Sequence, residues 1–192
     1  MRRISILLCF IAFNLNAHCQ LQINKISGGS VVTKLGMGVK LNEGSTLTRE
    51  FIVINDPNCP LSLADVGINT GYGNSYSFFA VGTINPKEPI SAYEIHHVLY
   101  NVFGEHIKTL SNQYVSDLST SSPLSKYANW YANENNVSEY LICVSYVANI
   151  RTTKGTIWHF DYKAIQSELN NLKIKYDEEY VPPRIIDKEK SK

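Results

Sequence analysis

Ala92-Tyr93-Glu94-Ile95-His96-His97-Val98-Leu99-Tyr100 runs into Asn101-Val102-Phe103-Gly104, and Glu105 to Leu110 follows. β-Branched and aromatic residues lead into a glycine turn and resume after it, the pattern of a strand, a tight connection and a return strand. The same pattern recurs downstream. Tyr140 to Ile150 leads into Thr152-Thr153-Lys154-Gly155, with Thr156 to Phe160 returning. Gly104 and Gly155 each stand where a type I turn with a following bulge requires a left-handed residue, a conformation glycine adopts without a Cβ penalty. Two β-hairpins are predicted.

Further strands lie on the amino-terminal side. Phe51 to Ile54 is a compact β-type run that stops at Asn55-Asp56-Pro57, where proline fixes φ and removes a donor. Leu61 to Asn69 and Tyr76 to Ile84 are the next two, separated by Thr70-Gly71-Tyr72-Gly73-Asn74. Residues 20 to 50 carry shorter apolar runs, Leu21 to Ile26 and Gly29 to Val32, read as one or two edge strands or a loosely packed lead-in. Between the hairpins, Ser111 to Ser138 is rich in Ser and Asn, with a short helix expected from Leu124 to Ala132. Its aromatics Tyr127, Trp130 and Tyr131 are expected to cover the edge of the core, where amphipathic rings bury their bodies. After the second hairpin, Ile165, Leu169, Leu172 and Tyr176 recur at steps of four, three and four, one stripe of a terminal helix. Short strands and glycine turns without crossover helices predict a mainly β fold, an antiparallel immunoglobulin-like β-sandwich with a short C-terminal helix.

The chain of 192 residues opens with Arg2 and Arg3, an apolar run from Ile4 to Phe13 and a small-residue exit at Ala17-His18-Cys19, the three zones of an export signal. The run is shorter than the roughly 20 apolar residues a transmembrane helix takes. Residues 1–19 are therefore expected to be a signal peptide cleaved between Cys19 and Gln20. A lipid anchor on Cys19 would call for a leucine-like residue and small residues before it, where this chain has Asn16, Ala17 and His18. One domain is expected over 20–176, followed by a charged flexible tail over 177–192 with Pro182 and Pro183. The full chain has 18 Lys and Arg against 17 Asp and Glu, and loss of Arg2 and Arg3 brings the mature charge to about −1. Neither nucleic acid nor an acidic membrane is drawn by such a balance, and no transmembrane segment is expected in the mature chain. The expected location is periplasmic or extracellular.

Of the four cysteines, Cys9 and Cys19 leave with the signal, and Cys59 and Cys143 remain. An even pair in an oxidising compartment allows one disulfide, with two separately buried thiols as the alternative. His96 and His97 are adjacent on a strand, so their side chains point to opposite faces and cannot grip one ion together. His106 lies two residues past Gly104, with Glu94 and Glu105 as candidate carboxylates. No zinc-type spacing occurs, and there is no Gly-x-Ser-x-Gly elbow, Ser-x-x-Lys or His-Glu-x-x-His. Gly28-Gly29-Ser30 and Gly36-Met37-Gly38 lack the strand, helix and lysine of a phosphate cradle and read as turns. Glu178-Glu179 reads as solvated charge, and Asn136-Val137-Ser138 as a glycosylation pattern idle behind a bacterial-type signal. No catalytic, cofactor-binding or metal-ligating residue is assigned.

His97-Val98-Leu99-Tyr100-Asn101 leading to Gly104 resembles the strand and turn of bacterial FxLYD-type immunoglobulin-like domains. Leu99 and Tyr100 match that motif, while His97 and Asn101 replace its Phe and Asp, and the match spans only His97 to Gly104. Tyr146 to Arg151, through Gly155 to Trp158, is similar to uncharacterised secreted bacterial proteins, a likeness that implies no activity. What the resemblance implies is an adhesion, assembly or binding module. The leading expectation is a non-enzymatic binding or accessory domain with a protein or glycan partner in the cell envelope. The alternatives are a small hydrolase or metal-dependent enzyme with a site near His106, and an envelope assembly subunit.

Overall fold

The computed structural model describes residues 21–27, 49–71, 77–124, 129–131, 140–177 and 180. The signal peptide with its Cys19–Gln20 junction, the Gly29 to Val32 run, the Gly28 and Gly36 turns, Asn136-Val137-Ser138 and most of the tail lie outside them.

Among the described residues, ten strands form two sheets. The larger sheet holds β1 (Gln22–Ser27), β2 (Glu50–Asn55), β5 (Ile90–Tyr100), β6 (His106–Leu118), β9 (Ile142–Thr152) and β10 (Ile157–His159), in the order β1-β2-β9-β5-β6 with β10 beside β9. The smaller sheet holds β3 (Leu61–Gly71), β4 (Ser77–Pro86), β7 (Ser122–Pro123) and β8 (Asn129–Tyr131), with β4 pairing all three of the others. Both predicted hairpins are present as antiparallel pairs, β5 with β6 and β9 with β10. Every pairing is antiparallel except β2 with β9. Those two strands share no hairpin, because the chain leaves β2 for the smaller sheet, so nothing forces them to run in opposite directions.

The turns show why glycine is required. Gly104 has φ +76° and Gly155 φ +88°. The Asn101 side-chain oxygen accepts from the Phe103 and Glu105 N–H groups, and the Thr152 hydroxyl accepts from Thr156 N–H. Each turn thus opens on a polar side chain that satisfies the backbone and closes on a left-handed glycine.

The larger sheet is buried on its inner face and over part of its outer face. Toward the smaller sheet, Val53, Tyr93, Ile95, Leu99, Cys143 and Val147 pack against Leu61, Leu63, Val66, Ile68, Phe78 and Ile84. On the other side, Ile52, Ile54, Val98, Tyr100, Val144 and Tyr146 lie beneath α1 (Tyr162–Asn171) and the segment after it. Asp161 caps the helix by accepting from Lys163 N–H at 3.0 Å. Its stripe ends sooner than the spacing predicts. Ile165 and Leu169 are buried, but the helix stops at Asn171, Lys173 turns left-handed with φ +60°, and Ile174 N–H bonds the Leu169 carbonyl at 2.9 Å. Leu172 is only half-buried, and Tyr176 reaches the core from beyond the helix.

The helix expected over Leu124 to Ala132 is corrected as well. Asn129–Tyr131 is a strand pairing Ser77 to Phe79, an instance of a free sheet edge overriding local spacing. Trp130 does cover the edge of the core. It packs on the interior cluster and its indole N–H donates to the Ser111 carbonyl at 3.0 Å.

Cys59 and Cys143 lie in the same interior cluster, one from each side of the sandwich, as free and buried thiols. The Cys59 sulfur accepts from Leu61 N–H at 3.5 Å, and that of Cys143 lies 3.6 Å from the Ser145 hydroxyl. Burial pushes both thiols up to about 12.

Candidate functional site

Helix α1 covers only part of the outer face of the larger sheet, and strand register builds two rows beside it. One row runs Val115, Ala92, Arg151, Ile157 across β6, β5, β9 and β10. The next runs Gln113, Glu94, Asn149, His159 across the same four strands. Ala92 is small among larger neighbours, and an open hollow of about 210 Å³ forms over it. Val115 is 85% exposed and Ile157 is 54% exposed, so apolar side chains stand free on both sides. Arg151 also lines the hollow.

Glu94 forms the polar wall. Its carboxylate accepts from His96 Nε2 at 2.9 Å, the Ser111 hydroxyl at 2.9 Å and the Gln113 amide at 3.1 Å, while the Asn149 amide bonds its second oxygen. Burial alone would raise the Glu94 carboxyl, but the hydrogen bonds from His96, Gln113 and Asn149, with the charge of His96, outweigh it and hold it at about 2. The chain of bonds continues inward. His96 Nδ1 lies 3.2 Å from the Tyr146 hydroxyl, which lies 2.9 Å from that of Tyr176. An ionised Glu94 makes His96 Nε2 the donor, and the Tyr146 and Tyr176 hydroxyls extend the chain inward. Outward, the Asn149 oxygen lies 2.6 Å from His159 Nδ1. With four donors on it, three on one oxygen, Glu94 serves as an anchor of the sheet.

The remaining candidates are dispersed. His96 and His97 do point to opposite faces: His97 is fully buried on the interior side, 2.9 Å from the Ser145 hydroxyl, and burial pushes it down to about 3. His106 bonds the Thr109 hydroxyl at 2.9 Å and stacks on Tyr180 with ring centres 4.0 Å apart. The carboxylates considered for it are engaged elsewhere, Glu94 with His96 and Glu105 with the Asn101 amide at 2.8 Å. Among the described residues, no group of three His, Cys, Asp or Glu converges as a metal set, and no helix is long and apolar enough to cross a membrane.

Sequence reasoning missed the hollow, whose residues come from four separate strands. One signal was available: Val115 is an apolar residue on a strand whose neighbours Gln113, Ser116 and Asp117 face solvent. No family model, curated protein or solved structure matches this chain.

Proposed function

We propose that this chain is an exported, non-enzymatic binding or accessory domain of the bacterial cell envelope, with the hollow over Ala92 as its contact face. The amino-terminal order of basic, apolar and small residues supports export. The observation that carries the binding role is the exposure of Val115 and Ile157 on either side of that hollow. Exposed apolar side chains that flank a hollow with a few polar groups on its wall support an interaction site. Glu94 favours recognition over catalysis, because its bonds are spent on holding three strands, β5, β6 and β9, in register.

The test is retention of envelope components by immobilised mature protein, comparing wild type with a Val115→Glu, Ile157→Glu double variant. Both side chains are exposed, so the variant should melt within a few degrees of wild type. Loss of at least tenfold of the retained partner is expected. Undiminished retention by a well-folded variant would move the contact face elsewhere.

A further inference from the structure

On the interior faces of β5 and β6, two buried side-chain nitrogens have no hydrogen-bond partner among the described residues, His97 Nε2 and Asn112 Nδ2. His97 is 0% exposed and Asn112 3%. His97 pairs with Leu110 and Ile95 with Asn112, so the two residues are diagonal neighbours on one face of the sheet. Diagonal backbone spacing is about 7–8 Å, with side-chain ends closer, a span that two hydrogen bonds of about 2.8 Å through one intervening atom can bridge. Trp130 closes the spot from the other sheet, its ring centre 5.6 Å from that of His97 and its indole held by the Ser111 carbonyl.

An unmade hydrogen bond on a buried polar atom costs about 1–3 kcal/mol, and buried waters are the usual remedy where several such atoms face one another. We infer that a single water molecule is a structural constituent of the sandwich, held between His97 Nε2 and the Asn112 amide beneath Trp130.

Donors and acceptors close without conflict. Asn112 donates an amide N–H to the water, and the water donates to His97 Nε2. The ring then carries its proton on Nδ1 and donates to the Ser145 hydroxyl, 2.9 Å away, which donates in turn toward the Cys143 sulfur at 3.6 Å. The chain runs from β6 through β5 to β9 and ends on a thiol. A cation is a poor occupant, since the amide presents its N–H end.

Two measurements on the unaltered mature protein decide the matter. A crystal structure at about 1.5 Å should show an ordered water within hydrogen-bond distance of both nitrogens. Empty density between them, or direct contact of His97 with Asn112, would overturn the inference. Nitrogen-15 NMR of the His97 ring should find Nδ1 protonated and Nε2 bare, and the reverse tautomer would contradict the chain of donors.

Discussion

His97 and Glu94 are both held deprotonated, one as a neutral ring by burial and the other as an anion by its hydrogen bonds, and both make the fold sensitive to acid. An unfolded His97 takes a proton near 6.5, whereas the folded ring, buried first of all and also beside His96, takes one only near 3. The stability tied to it is present above pH 6.5 and is lost as pH falls toward 3, at about 1.4 kcal/mol per pH unit. Burial lowers His106 in the same direction. Glu94 titrates near 4.5 unfolded and about 2 folded, so its contribution is lost only below pH 4.5. Between pH 6.5 and 4.5 the slope thus belongs to histidine. Denaturation across that window should show His97→Phe with a flatter slope than wild type, whatever its absolute stability, and equal slopes would mean His97 is not held neutral. Among the glycines, Gly104→Val should cost at least about 1 kcal/mol through strain alone, since open space surrounds its missing side chain. Gly82→Ala should cost more than Gly104→Ala, because its Cβ would meet the Val66 backbone at 2.7 Å as well as φ +133°. Urea denaturation of the variants checks that order. Gly104 and Gly155 were legible in the sequence because a turn imposes its geometry locally. The bonds of Glu94 were not, for they join residues from Glu94 to Asn149 that only strand register brings together.

At the scale of elements, Val98 to Tyr100 of β5 and Ile142 to Val144 of β9 stand out in sequence as consecutive apolar residues, and the reason is that there both faces are covered, one by the smaller sheet and one by α1 and the segment after it. Edge strand β6 alternates more and carries exposed Gln113, Val115 and Asp117. The terminal helix was legible in its stripe, but a stripe does not say where a helix ends: Lys173 in the left-handed region decides that. Leu169 and Leu172, equivalent by spacing, should therefore separate by mutation. Leu169→Ala should cost about 2–5 kcal/mol and Leu172→Ala distinctly less, measured by thermal or urea unfolding. Asp161→Ala should cost about 1 kcal/mol through loss of the cap. Strand β8 escaped the sequence because Trp130 and its neighbours carry helical spacing while their partner, β4, lies some fifty residues earlier.

Over the whole molecule, one sheet serves two cores and still leaves part of its outer face bare. The sandwich and the C-terminal helix follow from local patterns, whereas the hollow depends on which strands lie side by side, information carried by no single segment. Both thiols lie inside the sandwich and are pushed up to about 12, so folded protein should resist alkylation near pH 8 and denatured, unreduced protein should yield two reactive thiols. A count of zero would show a cross-sheet disulfide. The central claim is that the bare hollow is where this domain meets its partner, and site-specific photo-crosslinking in the envelope tests it most directly. A crosslinker at Val115, beside the hollow, should yield a discrete adduct, while one at Ser167, exposed on α1, should yield none. The same adduct at both positions, or an adduct at Ser167 alone, would contradict the account.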